Sequence, residues 1–284
     1  MNSFLRSLST TQQIGALFLV VFGVLSLVTL WAFVRGLRET PAGDADAAAA
    51  RKAKGRRLRG LLQTSWAMAT VFWVGWVLGD TAATVLFALV AFFALREFIT
   101  LSPTRRGDHR SLVLAFFVVL PLQFVLVGTR HFDLFTVFIP VYVFLALPVV
   151  SALANDPQRF LERSAKLQWG IMVCVYGMSH VPALLLLDFP GQGPGRGAFL
   201  VFYLVLSVQT CMVVQHLLGR RFPHQPVAPA VSQSFQWASW LAGVAVGGLV
   251  GGLLSFITPF KPGQALGMAL LACTAGSLGH LVMK

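Results

Sequence analysis

Ser111-Leu-Val-Leu-Ala-Phe-Phe-Val-Val-Leu-Pro-Leu-Gln-Phe-Val-Leu-Val-Gly128 carries no charge over eighteen residues and is bracketed by Arg110 and Arg130. A hydrocarbon core about 30 Å thick is crossed by about 20 apolar residues of helix, and eighteen without a charge already qualify. Working outward, runs of the same kind occur at residues 14–34, 61–79, 81–95, 132–150, 167–187, 198–215, 237–257 and 264–283. The expected fold is an all-α polytopic integral membrane protein with about nine transmembrane helices. Composition agrees: of 284 residues, 56% are hydrophobic and 11% charged, with 24 Phe and a mean hydropathy of +0.75. That is too apolar for a soluble domain, so soluble enzymes and soluble binding modules are excluded. The third run is short. Fused to the second it would make a helix about 52 Å long at 1.5 Å per residue, so Gly79-Asp80 predicts a tight turn between two helices.

The charges set the expected orientation. With the amino terminus outside, 18 Lys and Arg fall in the inner loops and only Arg6, Arg130, Arg196 and Lys261 fall outside. This is the bias of the positive-inside rule, and it puts Lys284 in the cytoplasm. The net charge of +12 is thereby topogenic. It is spread over short loops and forms no single basic face, which argues against nucleic acid as a partner. Residues 1–34 read as an anchor helix, because the apolar run is too long for a signal peptide and no small-x-small cleavage site follows. Residues 35–60 read as a basic cytoplasmic linker, flexible through the small-residue stretch 41–54, and residues 61–284 as the transmembrane domain.

Phosphoryl-transfer chemistry needs carboxylates for Mg²⁺ and cations for phosphate oxygens. The ten acids are Glu39, Asp44, Asp46, Asp80, Glu97, Asp108, Asp133, Asp156, Glu162 and Asp188, so the last three helices contain none. Those helices cannot build a carboxylate metal centre. Cations and hydroxyls are better supplied. Arg105, Arg106 and Arg110 follow the third helix, and His216, Arg220, Arg221, His224, Ser232 and Ser234 follow the seventh, where they could cradle an anionic head group. The same arginines also serve topology, and Trp237 also reads as an interfacial anchor. Gly243, Gly247, Gly248, Gly251 and Gly252 put small residues on one face of the eighth helix, a pattern for close helix packing in lipid. Cys174, Cys211 and Cys273 lie inside apolar runs without paired spacing and read as packing residues. His180 and His280 have no second ligand at helical spacing, so no zinc site is indicated.

Ala94-Leu-Arg-Glu-Phe-Ile-Thr-Leu-Ser-Pro-Thr-Arg-Arg-Gly-Asp-His109 resembles the corresponding stretch of bacterial phosphatidate cytidylyltransferases, the CDP-diacylglycerol synthases. Phe138-Ile-Pro-Val-Tyr142, Arg159-Phe-Leu-Glu-Arg-Ser-Ala-Lys-Leu-Gln-Trp169, Val173-Cys-Val-Tyr176, Val227-Ala-Pro229, Val231-Ser232 and Gly279-His-Leu-Val-Met283 resemble the family in the same order. The resemblance implies a helical homodimer in the bacterial inner membrane that converts CTP and phosphatidic acid to CDP-diacylglycerol and pyrophosphate with Mg²⁺. It also locates departures. The family's metal-binding Asp falls on Met212. Its S-P-x-K-T-W-E-G stretch reads Ser232-Gln-Ser-Phe-Gln-Trp-Ala-Ser239, so the Lys position is Phe235 and the Glu position Ala238, while Ser232, Ser234 and Trp237 remain comparable. The family's Lys-Arg-Asp and His-Gly-Gly-x-x-Asp-Arg signature belongs beyond Lys284. Three readings stay open: a truncated or degenerate synthase, a non-catalytic relative that binds lipid or dimerises, and a transporter. For the last there is no pair of interrupted helices in corresponding halves.

Overall fold

The computed structural model describes residues 10–38, 45–102, 104–189, 196–221 and 235–282. These form nine helical stretches and no strand: α1 Thr10–Arg38, α2 Ala45–Leu78, α3 Asp80–Leu101, α4 Arg106–Gly128, α5 Phe132–Ala152, α6 (Phe160–Ile171 continuing through Met172–Gly177 and Met178–Leu185), α7 Gly197–Arg221, α8 Trp237–Leu253 with a last tight turn Leu254–Ile257, and α9 Pro262–Val282. The protein is an all-α polytopic membrane protein. Each expected span corresponds to one helix. Among the described residues, seven of these helices are long and apolar enough to cross a membrane. One correction concerns the linker: α2 begins at Ala45, so the stretch read as flexible is helical from there on. Ala has the highest helix propensity of any residue, and four in a row favour helix over coil.

The chain divides into two compact units, residues 1–186 and 187–284. In the first, α1 and α2 form an antiparallel pair in which Phe18 packs on Phe72 and Trp76 at 5.4 and 5.5 Å and the Trp66 indole donates to Thr29 Oγ1 at 3.1 Å. Gly79, at φ 89°, makes the predicted turn into α3, a conformation that glycine alone adopts at no steric cost. Leu95, Ala115, Ile139, Leu147, Ile171 and Val175 form the centre of the core.

Helices α4 to α6 are interrupted by wide turns at residues 115–119, 138–143 and 172–177. Two prolines in α5 explain one consequence. Pro140 and Pro148 lack an N–H, so the carbonyls four residues back, those of Thr136 and Phe144, lose their ordinary helical donors. Side chains of α6 supply replacements: the Tyr176 hydroxyl donates to Thr136 O at 3.1 Å and the Gln168 carboxamide to Phe144 O at 2.8 Å. In lipid such carbonyls must find a partner inside the protein.

The second unit is a three-helix assembly around the glycine face of α8. A Cβ at Gly247 would stand 2.6 Å from Cys273 Sγ and 2.9 Å from Ser207 O, and one at Gly251 2.2 Å from Ala269 Cβ. The glycines are therefore where α7 and α9 approach α8 most closely, as the spacing predicts. Cys211 and Cys273 are buried in this contact as free thiols, with Cys273 Sγ donating to Ser207 O at 3.3 Å. The Trp240 indole donates to Ser277 Oγ at 2.8 Å across α8 and α9.

Candidate functional site

At one end of the first unit the segment 102–109 meets the segment 153–163. Asp108 closes a tight turn by accepting from the Arg105 backbone N–H at 2.9 Å. Its other carboxylate oxygen lies 2.9 Å from Arg163 Nε, in an ion pair whose side chains are only 8% (Arg163) and 11% (Asp108) exposed. The same guanidinium donates through Nη1 to Asp156 Oδ2 at 2.6 Å and to Gln158 O at 2.9 Å, and through Nη2 to Asp156 O at 3.2 Å. The Arg105 guanidinium donates to Gln158 Oε1. Gly107 permits the approach, since a Cβ there would lie 3.1 Å from Asp156 Cβ and Oδ2. Below the clamp, the buried Ser111 and Ser151 hydroxyls share a hydrogen bond of 2.7 Å that ties α4 to α5.

The electrostatic outcome follows from who is paired with whom. Asp108 and Asp156 are held by Arg163, and Glu162 by Lys166 at 2.6 Å. The Arg163 hydrogen bond, with help from the Gln158 backbone N–H, holds the Asp156 carboxyl below the usual carboxylate range, and Lys166 does the same for Glu162. Asp108, Asp156 and Glu162 are thus consumed internally, while Arg105, Arg106 and Arg110 stand exposed beside them. Such a surface suits a phosphate group. The cavity between Ser102, Thr104, Asp108, Ser151, Arg163 and Lys166 is about 20 Å³, room for about one water, so an anion would bind on the surface and not inside.

The sequence-predicted residues fare unequally. Arg105 and Arg106 share one surface, whereas the side chains of Arg220 and Arg221, and Ser232 and Ser234 altogether, lie outside the described residues. Trp237 is exposed and packs edge-on to Trp240 at 5.5 Å. Phe235 is 5% exposed and lies 6.0 Å from Trp237 and 6.3 Å from Trp240. Phe235, Trp237 and Trp240 thus form an aromatic cluster. Met212 is half-buried on α7 and Ala238 exposed on α8. Among the described residues no three His, Cys, Asp or Glu are grouped to hold a metal. The acids nearest the arginine surface are committed to cations, so these residues do not fit the Mg²⁺ that the resemblance implies. Arg163, Asp108, Asp156 and Gln158 were not singled out from sequence, though a lone Asp among three arginines is a signal that the carboxylate has a structural partner.

At the other end of the same unit, Asp80 at the start of α3 and Arg130 after α4 approach to 3.6 Å. Loops expected on the inner side therefore meet each other, and loops expected on the outer side meet each other.

The cytidylyltransferase family model matches residues 60–284, and the chain belongs to that family. Membership supports a function of the nucleotidyltransferase type. A protein of Escherichia coli (strain K12) named "Uncharacterized protein YnbB" is 31% identical over 208 residues, covering 70% of this chain and 64% of the relative. The chain thus spans less than two thirds of that relative's length. No solved structure matches.

Proposed function

We propose that this chain is the lipid-binding membrane scaffold of a phosphatidate cytidylyltransferase, in which the phosphomonoester of phosphatidic acid is held at the cytoplasmic surface by Arg105, Arg106 and Arg110. The observation that carries this reading is the pairing of Asp108, Asp156 and Glu162 with Arg163 and Lys166, which leaves exposed guanidiniums beside them for a doubly charged phosphate. The setting is the bacterial inner membrane, with the amino terminus outside and a second copy as homodimer partner. The cation split supports the orientation. In the reaction a phosphate oxygen of the lipid attacks the α-phosphorus of CTP and pyrophosphate leaves, giving CDP-diacylglycerol. Transfer requires carboxylates to hold a metal, and among the described residues none are grouped for one, while Met212, Phe235 and Ala238 stand where the resemblance puts the family's charged positions. The test is CTP-dependent formation of CDP-diacylglycerol by purified chain 1–284 with Mg²⁺ and phosphatidic acid. No turnover is expected, and steady turnover in the absence of any endogenous synthase would overturn the division between lipid scaffold and transfer chemistry.

A further inference from the structure

Away from the arginine surface, a groove of about 690 Å³ opens on the first unit between α3 and α4. That is within the size range of small-molecule sites. Its floor is apolar, with Leu120 and Phe124 buried, and its lips are exposed apolar side chains, Leu89 and Phe117 among them. One end is polar: Asp80, Thr81, Thr84, Thr129 and Arg130 line it. Arg130 adopts a left-handed conformation, φ 60°, that reverses the chain after α4, and its guanidinium sits 3.6 Å from the Asp80 carboxylate with both side chains about half-exposed or more.

Length and charge together define an occupant. From Asp80 to Phe92 the groove follows twelve residues of α3, about 18 Å, comparable with half of a hydrocarbon core about 30 Å thick. One acyl chain of a single leaflet fills that length. The polar end carries both signs, in Asp80 and Arg130. A net-negative head group would meet a carboxylate as well as a guanidinium, whereas a neutral head group with a phosphate and an ammonium matches Arg130 and Asp80 at once. We propose that this groove is a site for one zwitterionic phospholipid, its acyl chain lying between α3 and α4 and its head group on the Asp80–Arg130 pair. The site is at the opposite end of α3 from the surface assigned to phosphatidic acid, so the two lipids would approach from different leaflets.

The chain, delipidated in detergent, is titrated with phosphatidylethanolamine or phosphatidylglycerol of identical acyl chains and read by native mass spectrometry. One phosphatidylethanolamine should bind about fivefold tighter than phosphatidylglycerol, a factor that corresponds to about 1 kcal/mol. Asp80→Asn, which removes one negative charge from the polar end, should move the preference toward phosphatidylglycerol. Leu89→Trp, which fills the groove, should lower phosphatidylethanolamine binding to the phosphatidylglycerol level, while Leu145→Trp on the exposed side of α5 should leave it unchanged. If Leu89→Trp does not fold, as judged by circular dichroism, Val85→Trp on the same lip replaces it. Equal binding of the two lipids by the unaltered chain, or undiminished phosphatidylethanolamine binding by the groove-filling variant, would overturn the proposal.

Discussion

Arg163→Met isolates the clamp that fixes the arginine surface. Met matches the length of the Arg stem but removes a guanidinium that lies 2.9 Å from Asp108 and 2.6 Å from Asp156. Asp156 can turn to water; Asp108, 11% exposed, cannot. Removing one partner of a buried pair typically costs about 3–5 kcal/mol, because a charge is left uncompensated. Asp108 keeps the Arg105 N–H at 2.9 Å, so we expect about 3 kcal/mol, the low end of that range. The double variant Arg163→Met/Asp108→Asn should recover about half of it, a coupling that additive sites do not show. The pH dependence separates the causes. In the unaltered chain the Asp156 carboxyl is held below its ordinary value, so its contribution is full above the usual carboxylate range and is lost as pH falls through the depressed value. In Arg163→Met the hydrogen bond that depresses the Asp156 carboxyl is gone, so the loss of stability as pH falls is smaller than in the unaltered chain. Unfolding by sodium dodecyl sulfate titration in mixed micelles at several pH values reads both effects. A loss below about 1 kcal/mol, the level of an exposed pair, or an acid dependence identical to that of the unaltered chain, would refute the assignment of a buried clamp.

Three further outcomes are expected. Gln168→Leu should cost about 1–3 kcal/mol by leaving Phe144 O without a donor; in a Pro148→Ala background, where a helical N–H is restored, the cost should vanish, and additivity by the same titration would reject the reading. Gly251→Ala, whose methyl would stand 2.2 Å from Ala269 Cβ, should lower the melting temperature in detergent, whereas Gly263→Ala, with open space around it, should not. A cysteine placed at Ala48 should resist membrane-impermeant maleimide added outside sealed cells, and labelling there would invert the topology.

The helices were legible because each rests on a one-dimensional signal. Residues 111–128 are apolar without interruption, Gly79 breaks what would be an overlong helix, and the glycines of α8 repeat on one face. One feature was not legible in this way: a stretch of small residues at 45–54 has the same low complexity whether it is helix or coil. The site was legible as charge and not as geometry. Counting Arg105, Arg106 and Arg110 toward topology assigns them a side of the membrane, but a count treats Asp108 and Arg163 as independent charges, although they lie 55 positions apart in sequence and 2.9 Å apart in space. The partners of the proline-freed carbonyls escape for the same reason: nothing local to Pro140 or Pro148 names Tyr176 or Gln168.

Phosphatidic acid carried through purification is the quantity on which the account turns. Arg105→Gln/Arg106→Gln/Arg110→Gln removes the exposed cations while leaving Asp108, Asp156 and Arg163 in place. At about 1 kcal/mol per cation, phosphatidate bound per chain, measured by mass spectrometry of extracted lipid, should fall by more than tenfold, with phosphatidylcholine unchanged. Equal phosphatidate retention by the triple variant would contradict the assignment and leave these arginines as topology signals alone.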